Sequence, residues 1–225
     1  MTPIRFAVIS TGFGVPLDLR RKCLDSVRAQ FRPPMGPEVE HVYVDAAEQK
    51  PPRAHFENLV EQVGRLPDDR VVACVDGDDW LGPPSALCTV ARYFAAGALV
   101  TYGSFRFADG RRGQPSEGYA AGEDVRTVPW KGTHLKCFRA GLFKRIKLEH
   151  LKGPDGEWLE HARDLALMFP LLEMAGPARR AHVAEEIYVY NLATSTEFTG
   201  GEAVRAAERE CVRYVRGLPP YEVLP

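Results

Sequence analysis

Arg70-Val71-Val72-Ala73-Cys74-Val75-Asp76-Gly77-Asp78-Asp79-Trp80-Leu81 is the stretch on which the reading of this chain turns. Val71 to Val75 are continuously apolar and rich in β-branched side chains, the pattern of a strand buried on both faces in a parallel sheet. That strand runs straight into three carboxylates within four residues. The carboxyl end of a buried strand is where open α/β sheets hold ligands. Like charges packed this closely repel one another, and a divalent cation relieves the repulsion. Hard carboxylate oxygens suit Mg²⁺ or Mn²⁺. Gly77 frees the backbone so that the flanking side chains can converge.

Other readings of the same residues are weaker. A solvated acidic turn is the plain one, since Asp-Gly is a common turn dipeptide. A calcium loop needs a donor at its fifth position and Gly at its sixth, and Trp80 and Leu81 stand there. An aspartyl-phosphate phosphatase also places Asp-x-Asp after a strand, with one Asp as nucleophile and Mg²⁺ beside it. Such enzymes carry Thr or Val in the fifth place and lie close to the N-terminus, whereas Trp80 fills that place here.

Outward from this stretch, strand and helix patterns alternate. Ile4–Ser10 reads as a first strand that ends at Thr11-Gly12. Leu24, Val27 and Phe31 recur at helical spacing, with Pro33-Pro34 as the stop. Val39–Asp45 reads as a strand, and Phe56, Leu59, Val60 and Val63 mark a helix over His55–Arg65. A helix around Leu87–Phe94 and a strand over Ala98–Tyr102 follow. Strands separated by helices of this length predict βαβ units and a mainly parallel sheet. Beyond them, Ala108–Gly122 reads as an exposed loop, and a strand-then-helix pattern spans His134–Ile146. A helix over Glu160–Ala175 is expected to kink at Pro170. Ile187–Tyr190 is strand-like, and Glu202–Arg216 is a final amphipathic helix, expected to dock onto the domain or onto a dimer partner.

Composition narrows the function. At 225 residues the chain suits one α/β domain, and 29 basic against 30 acidic residues leave no field for nucleic acid. No window approaches the length of an apolar membrane span. Five widely spaced cysteines without a Cys-x-x-Cys point away from disulfides and zinc, toward a reducing, cytoplasmic setting.

The ordered set of motifs resembles the family-2 glycosyltransferases of GT-A fold. Asp76-Gly77-Asp78-Asp79-Trp80-Leu81 resembles that family's Asp-x-Asp signature, and Cys23-Leu24-Asp25-Ser26-Val27-Arg28-Ala29-Gln30 its first helix. Val42-Tyr43-Val44-Asp45 is similar to its second strand. Val100–Ser104 and Trp130–Phe138 look like later segments of one branch. Ala162-Arg163-Asp164-Leu165-Ala166 sits where the family has Glu-Asp, and Ile187–Asn191 resembles its closing strand. The likeness spans roughly residues 4–192. Three departures stand out. Ala46-Ala47-Glu48 follows Asp45 in place of Asp-Gly-Ser, Arg163 stands in place of Glu, and the loop after the first strand lacks Asn-Arg.

The resemblance implies a single three-layer α/β/α domain over residues 1–225 with a mainly parallel mixed sheet. Its nucleotide-sugar half covers about 1–105 and its acceptor half about 106–200, with the C-terminal helix at 202–216. It implies transfer of a sugar from a nucleotide-diphosphate donor, expected to be UDP-linked, to a hydroxyl of a glycan or other acceptor, with inversion. In that reading Asp78 is the principal ligand of Mn²⁺ or Mg²⁺, with Asp76 assisting directly or through the ribose, and Asp79 able to replace either. Asp164 is the general base. Asp45 accepts from the base ring, and Thr11 and Gly12 approach the nucleotide. Trp130 and His134 face the acceptor. A module that binds the nucleotide sugar without turnover is the non-enzyme alternative.

Overall fold

The computed structural model describes residues 3–30, 37–45, 54–114, 117–193 and 201–225. The Pro33-Pro34 stop and the Ala46-Ala47-Glu48 departure lie outside the described residues. A seven-stranded mixed sheet runs through the molecule in the order β2-β1-β3-β6-β5-β7-β4. Its strands are β1 (Arg5–Gly12), β2 (Glu38–Asp45), β3 (Val71–Asp76), β4 (Trp80–Leu81), β5 (Val100–Phe107), β6 (Lys136–Arg139) and β7 (Arg180–Tyr190). The long ladders, β1 with β2, β1 with β3 and β5 with β7, are parallel. The short β6 and β4 run antiparallel to their neighbours.

Period-two alternation on the central strands sorts their side chains into two cores. Phe6 and Val8 of β1 and Val71, Ala73 and Val75 of β3 face helices α1 (Leu17–Arg28) and α3 (Ala86–Ala95). Ile9 and Val72 face α2 (Ala54–Gly64), α4 (Ala140–Phe143) and α5 (Arg163–Arg179). The result is the expected three-layer α/β/α arrangement. Among the described residues no helix is long and apolar enough to cross a membrane.

Helix α5 is buried on almost all sides, from Leu165 through Gly176. The kink expected at Pro170 lies elsewhere. The helix runs through Pro170, held by the fully buried Phe169, Leu171 and Leu172, and breaks at Gly176, with φ 65° and ψ 172°. A residue preceding proline is driven out of the helical region, and before Pro177 a glycine takes the left-handed one without a side-chain penalty. Val223 of the C-terminal tail packs against the bared backbone, 2.7 Å from where a Cβ on Gly176 would stand.

The final helix α6 (Glu202–Gly217) docks onto its own domain. Val215 is buried, and Cys211, Val212 and Tyr214 pack against the α5 side of the core. Arg126 clamps this junction. Its Nη2 donates to Glu173 Oε2 at 3.0 Å and its Nη1 to the Val215 carbonyl at 2.7 Å. Both members of the ion pair are buried. Removing one partner of such a pair leaves an uncompensated charge, at a cost of about 3–5 kcal/mol. Arg126→Met is therefore expected to lower the melting temperature by about 10 °C or more in a thermal denaturation scan.

Candidate active site

Strands β1, β2 and β3 end side by side. Thr11 pairs with Asp76 and Gly12 with Asp45, so the expected nucleotide contacts and the acidic motif share one sheet edge. The turn after β3 folds back on β1: Gly77 N–H donates to the Thr11 carbonyl at 2.9 Å, and Tyr43 Oη donates to the Gly77 carbonyl at 3.3 Å. A Cβ on Gly77 would lie 2.8 Å from Tyr43 Oη and 3.0 Å from both Gly12 Cα and the Thr11 oxygen. Glycine at 77 is thus a packing requirement.

The first-helix motif holds what comes next. Leu81 N–H donates to Ser26 Oγ at 3.1 Å, Gln30 Nε2 donates to the Pro83 carbonyl at 2.9 Å, and Leu87 N–H donates to Gln30 Oε1 at 3.1 Å.

The three aspartates have different surroundings. Asp79 is 1% exposed and both its carboxylate oxygens are engaged. Tyr188 Oη donates to one at 2.7 Å and Asn191 N–H to the other at 2.7 Å. Asp79, expected as an alternative metal ligand, is buried, and both its oxygens tie the turn to the end of β7. Burial pushes its carboxyl up to about 8, with the nearby Asp76 charge adding to the shift against the two hydrogen bonds. Asp76 N–H donates to the same Tyr188 Oη at 3.1 Å, and burial raises the Asp76 carboxyl to about 6, with repulsion from Asp164 and Asp78 working against attraction from Lys136. Asp78 is half-buried.

Asp164, the second residue of α5, faces this cluster and is 46% exposed at its side chain. Its oxygen lies 2.5 Å from Lys136 Nζ, and Lys136 is 3% exposed. Partial burial works against the charged form of Asp164, but the Lys136 ammonium overrules it and holds the carboxyl far below the usual carboxylate range. Lys136 also lies 3.4 Å from His134 Nε2. The His134 ring stacks on Tyr188, with centroids 4.6 Å apart and planes 12° apart. Burial and the lysine charge push His134 down to about 3, so it is neutral. A chain of contacts therefore runs from Asp164 through Lys136, His134 and Tyr188 to the turn at Asp76 and Asp79.

Lys136 and His55 were not anticipated. His55 Nδ1 pairs with Thr11 Oγ1 at 2.9 Å, and burial, aided by the Arg163 charge, lowers it to about 3. The signal for Lys136 was present in Leu135-Lys136-Cys137-Phe138, a lone cation inside an apolar strand, which needs a buried partner. The other expected contacts are placed less centrally. Asp45 is exposed and pairs with Arg20 at 2.9 Å, while Arg20 lies over the Tyr43 ring. Trp130 is half-buried, edge-on to Phe169 at 5.5 Å and lying over Gly132, where a Cβ would come within 2.5 Å of the indole.

Solved structures of similar shape match this fold. The likeness to S. aureus TarS 1–349 in complex with UDP-GlcNAc has a TM-score of 0.62 at 16% identity, over 94% of this chain and 65% of that one. The fold is GT-A-like. The same TarS fragment with UDP gives 0.57 at 16% identity, over 95% of this chain and 64% of that one. Without a named ligand it gives 0.55 at 17%, over 84% and 60%. This chain thus spans less than two thirds of the TarS fragment. The sequence matches no family model and no curated protein.

The placement of Asp79 yields a stability prediction. Asp79→Ala orphans the Tyr188 hydroxyl and the Asn191 N–H, at about 1–3 kcal/mol for each buried donor. A loss of about 2–4 kcal/mol in urea unfolding is expected.

Proposed function

We propose that this chain is a family-2-type glycosyltransferase that moves a sugar from a UDP-linked donor to a hydroxyl acceptor with inversion. The observation that carries the reading is the meeting of the Asp76-Gly77-Asp78 turn with Asp164 at the carboxyl edge of β1 and β3. It sits on a GT-A-like fold whose TarS likeness is crystallised with UDP-GlcNAc and with UDP.

The residues fit a divalent cation of the Mg²⁺ or Mn²⁺ kind. Among the described residues no three His, Cys, Asp or Glu side chains form a closed metal cage. Such ions are held by one or two carboxylates together with substrate phosphates, so Asp78, with Asp76 beside it, is an adequate protein share. Burial raises the Asp76 carboxyl, with the Asp164 and Asp78 charges adding to the rise against Lys136, and a cation at this turn would favour its ionised form. When bound, that ion supplies Lewis-acid stabilisation of the diphosphate leaving group.

Asp164, held ionised by Lys136, accepts the proton of the acceptor hydroxyl. The acceptor oxygen forms its bond to the anomeric carbon as the bond from that carbon to the diphosphate oxygen breaks, and UDP departs from the opposite face. Single displacement inverts the centre. Thr11, Gly12 and Asp45 contact the nucleotide in this account, and His134 and Trp130 line the acceptor side.

Three measurements test the proposal. UDP with Mn²⁺ is expected to raise the melting temperature by several degrees, as ligand linkage at about 100 times Kd requires, and Asp78→Ala to abolish the rise. Absence of a rise in the wild type overturns the reading. Asp164→Asn is expected to keep UDP binding and lose about 10²–10⁴ in transfer or donor hydrolysis, whereas full activity would remove Asp164 as base. Lys136→Met withdraws the charge that keeps Asp164 ionised at low pH. The base pKa then rises, and the acidic limb of the pH–rate profile is expected to move to higher pH.

A further inference from the structure

Tyr188 lies in β7 between two neighbouring strands, in register with Leu81 of β4 on one side and with Phe105 of β5 on the other. Both ladders fix where its side chain leaves the sheet, and the His134 ring stacks flat against the phenol. The side chain is fully buried, so its hydroxyl must find partners within the protein. It has two, and both belong to the acidic turn. Tyr188 Oη donates to Asp79 Oδ2 at 2.7 Å and accepts from Asp76 N–H at 3.1 Å. Asp79 N–H in turn donates to the Asp76 carbonyl at 3.0 Å. The phenol therefore closes a hydrogen-bonded ring that brackets Gly77 and Asp78.

Small divalent cations demand a set geometry of oxygen ligands. Loss of a partner that orients a ligating carboxylate costs about 10–100-fold in metal affinity. Phenylalanine at 188 would keep the aromatic ring, its stack on His134 and both ladders. It would remove only the two bonds to the turn.

We propose that Tyr188 is a positioning residue of the donor site: its hydroxyl holds the turn in the form in which Asp76 and Asp78 share a divalent cation with the donor diphosphate. This rests on the UDP-donor reading above. The test is calorimetric titration of UDP, with and without Mn²⁺, into the wild type, Tyr188→Phe, Tyr188→Phe combined with Asp79→Asn, and Arg126→Met. Melting temperatures are read in parallel. The double variant removes the carboxylate charge that Tyr188→Phe strips of a buried partner, and so keeps a folded protein available if the single variant does not fold. Arg126→Met, at the junction of α5 and α6, reports what loss of stability alone does.

Tyr188→Phe, alone or with Asp79→Asn, is expected to weaken UDP about 10-fold or more when Mn²⁺ is present and to leave metal-free UDP binding unchanged. Arg126→Met is expected to melt below the wild type with both affinities unchanged. Wild-type affinity in Mn²⁺ for the Tyr188 variants overturns the assignment and leaves the hydroxyl a support of the fold alone. An equal loss with and without the metal, or a loss in Arg126→Met as large as theirs, overturns it as well. A wild type whose UDP binding Mn²⁺ does not strengthen overturns the metal-dependent donor reading itself, and the role of Tyr188 with it.

Discussion

The buried carboxylate of Asp79 is the constraint on which the rest of the cleft depends. It accepts from Tyr188 and from the backbone of Asn191, and the same Tyr188 hydroxyl accepts from the backbone of Asp76. One phenol thus ties both ends of the acidic turn to β7. Gly77 closes the other side, where the turn rests on β1 with Tyr43 above it. Held between two strands, the turn presents Asp76 and Asp78 at a fixed edge of the sheet. The energetic cost of crowding three acids is met in part by burying one of them, Asp79, as an internal anchor against β7.

The same economy governs the charges opposite. Lys136 is buried in a strand and has no role in water, so its worth lies in the carboxylate it faces. By pairing with Asp164 it keeps that carboxylate ionised beside acids that would otherwise favour its protonation. Two histidines nearby stay neutral through burial, which keeps the positive charge of this corner on Lys136 and Arg163.

Much of the scaffold was legible because it rests on local pattern. The buried runs of β1 and β3 and the helical spacing of Phe56, Leu59 and Val63 place those elements within a residue or two. The strand-end location of Asp76 followed from the same pattern. Legibility failed where tertiary contacts decide. Nothing adjacent to Asp79 tells it from Asp78; the difference is Tyr188, more than a hundred residues away. Lys136 and His55 enter from other elements, and their partners are set by strand register. The break in α5 followed the glycine before Pro177, not the more conspicuous Pro170, because packing on every side carries the helix through the latter.

The most direct test of this account is a crystal structure of the chain soaked with UDP and Mn²⁺, using the anomalous signal of manganese to locate the ion. The account predicts one manganese peak within coordination distance of Asp78 and of diphosphate oxygens, with Asp79 still bonded to Tyr188 and Asn191. A nucleotide bound away from the β1–β3 edge, or a manganese ion coordinated by Asp79 with its bonds to β7 broken, would contradict it.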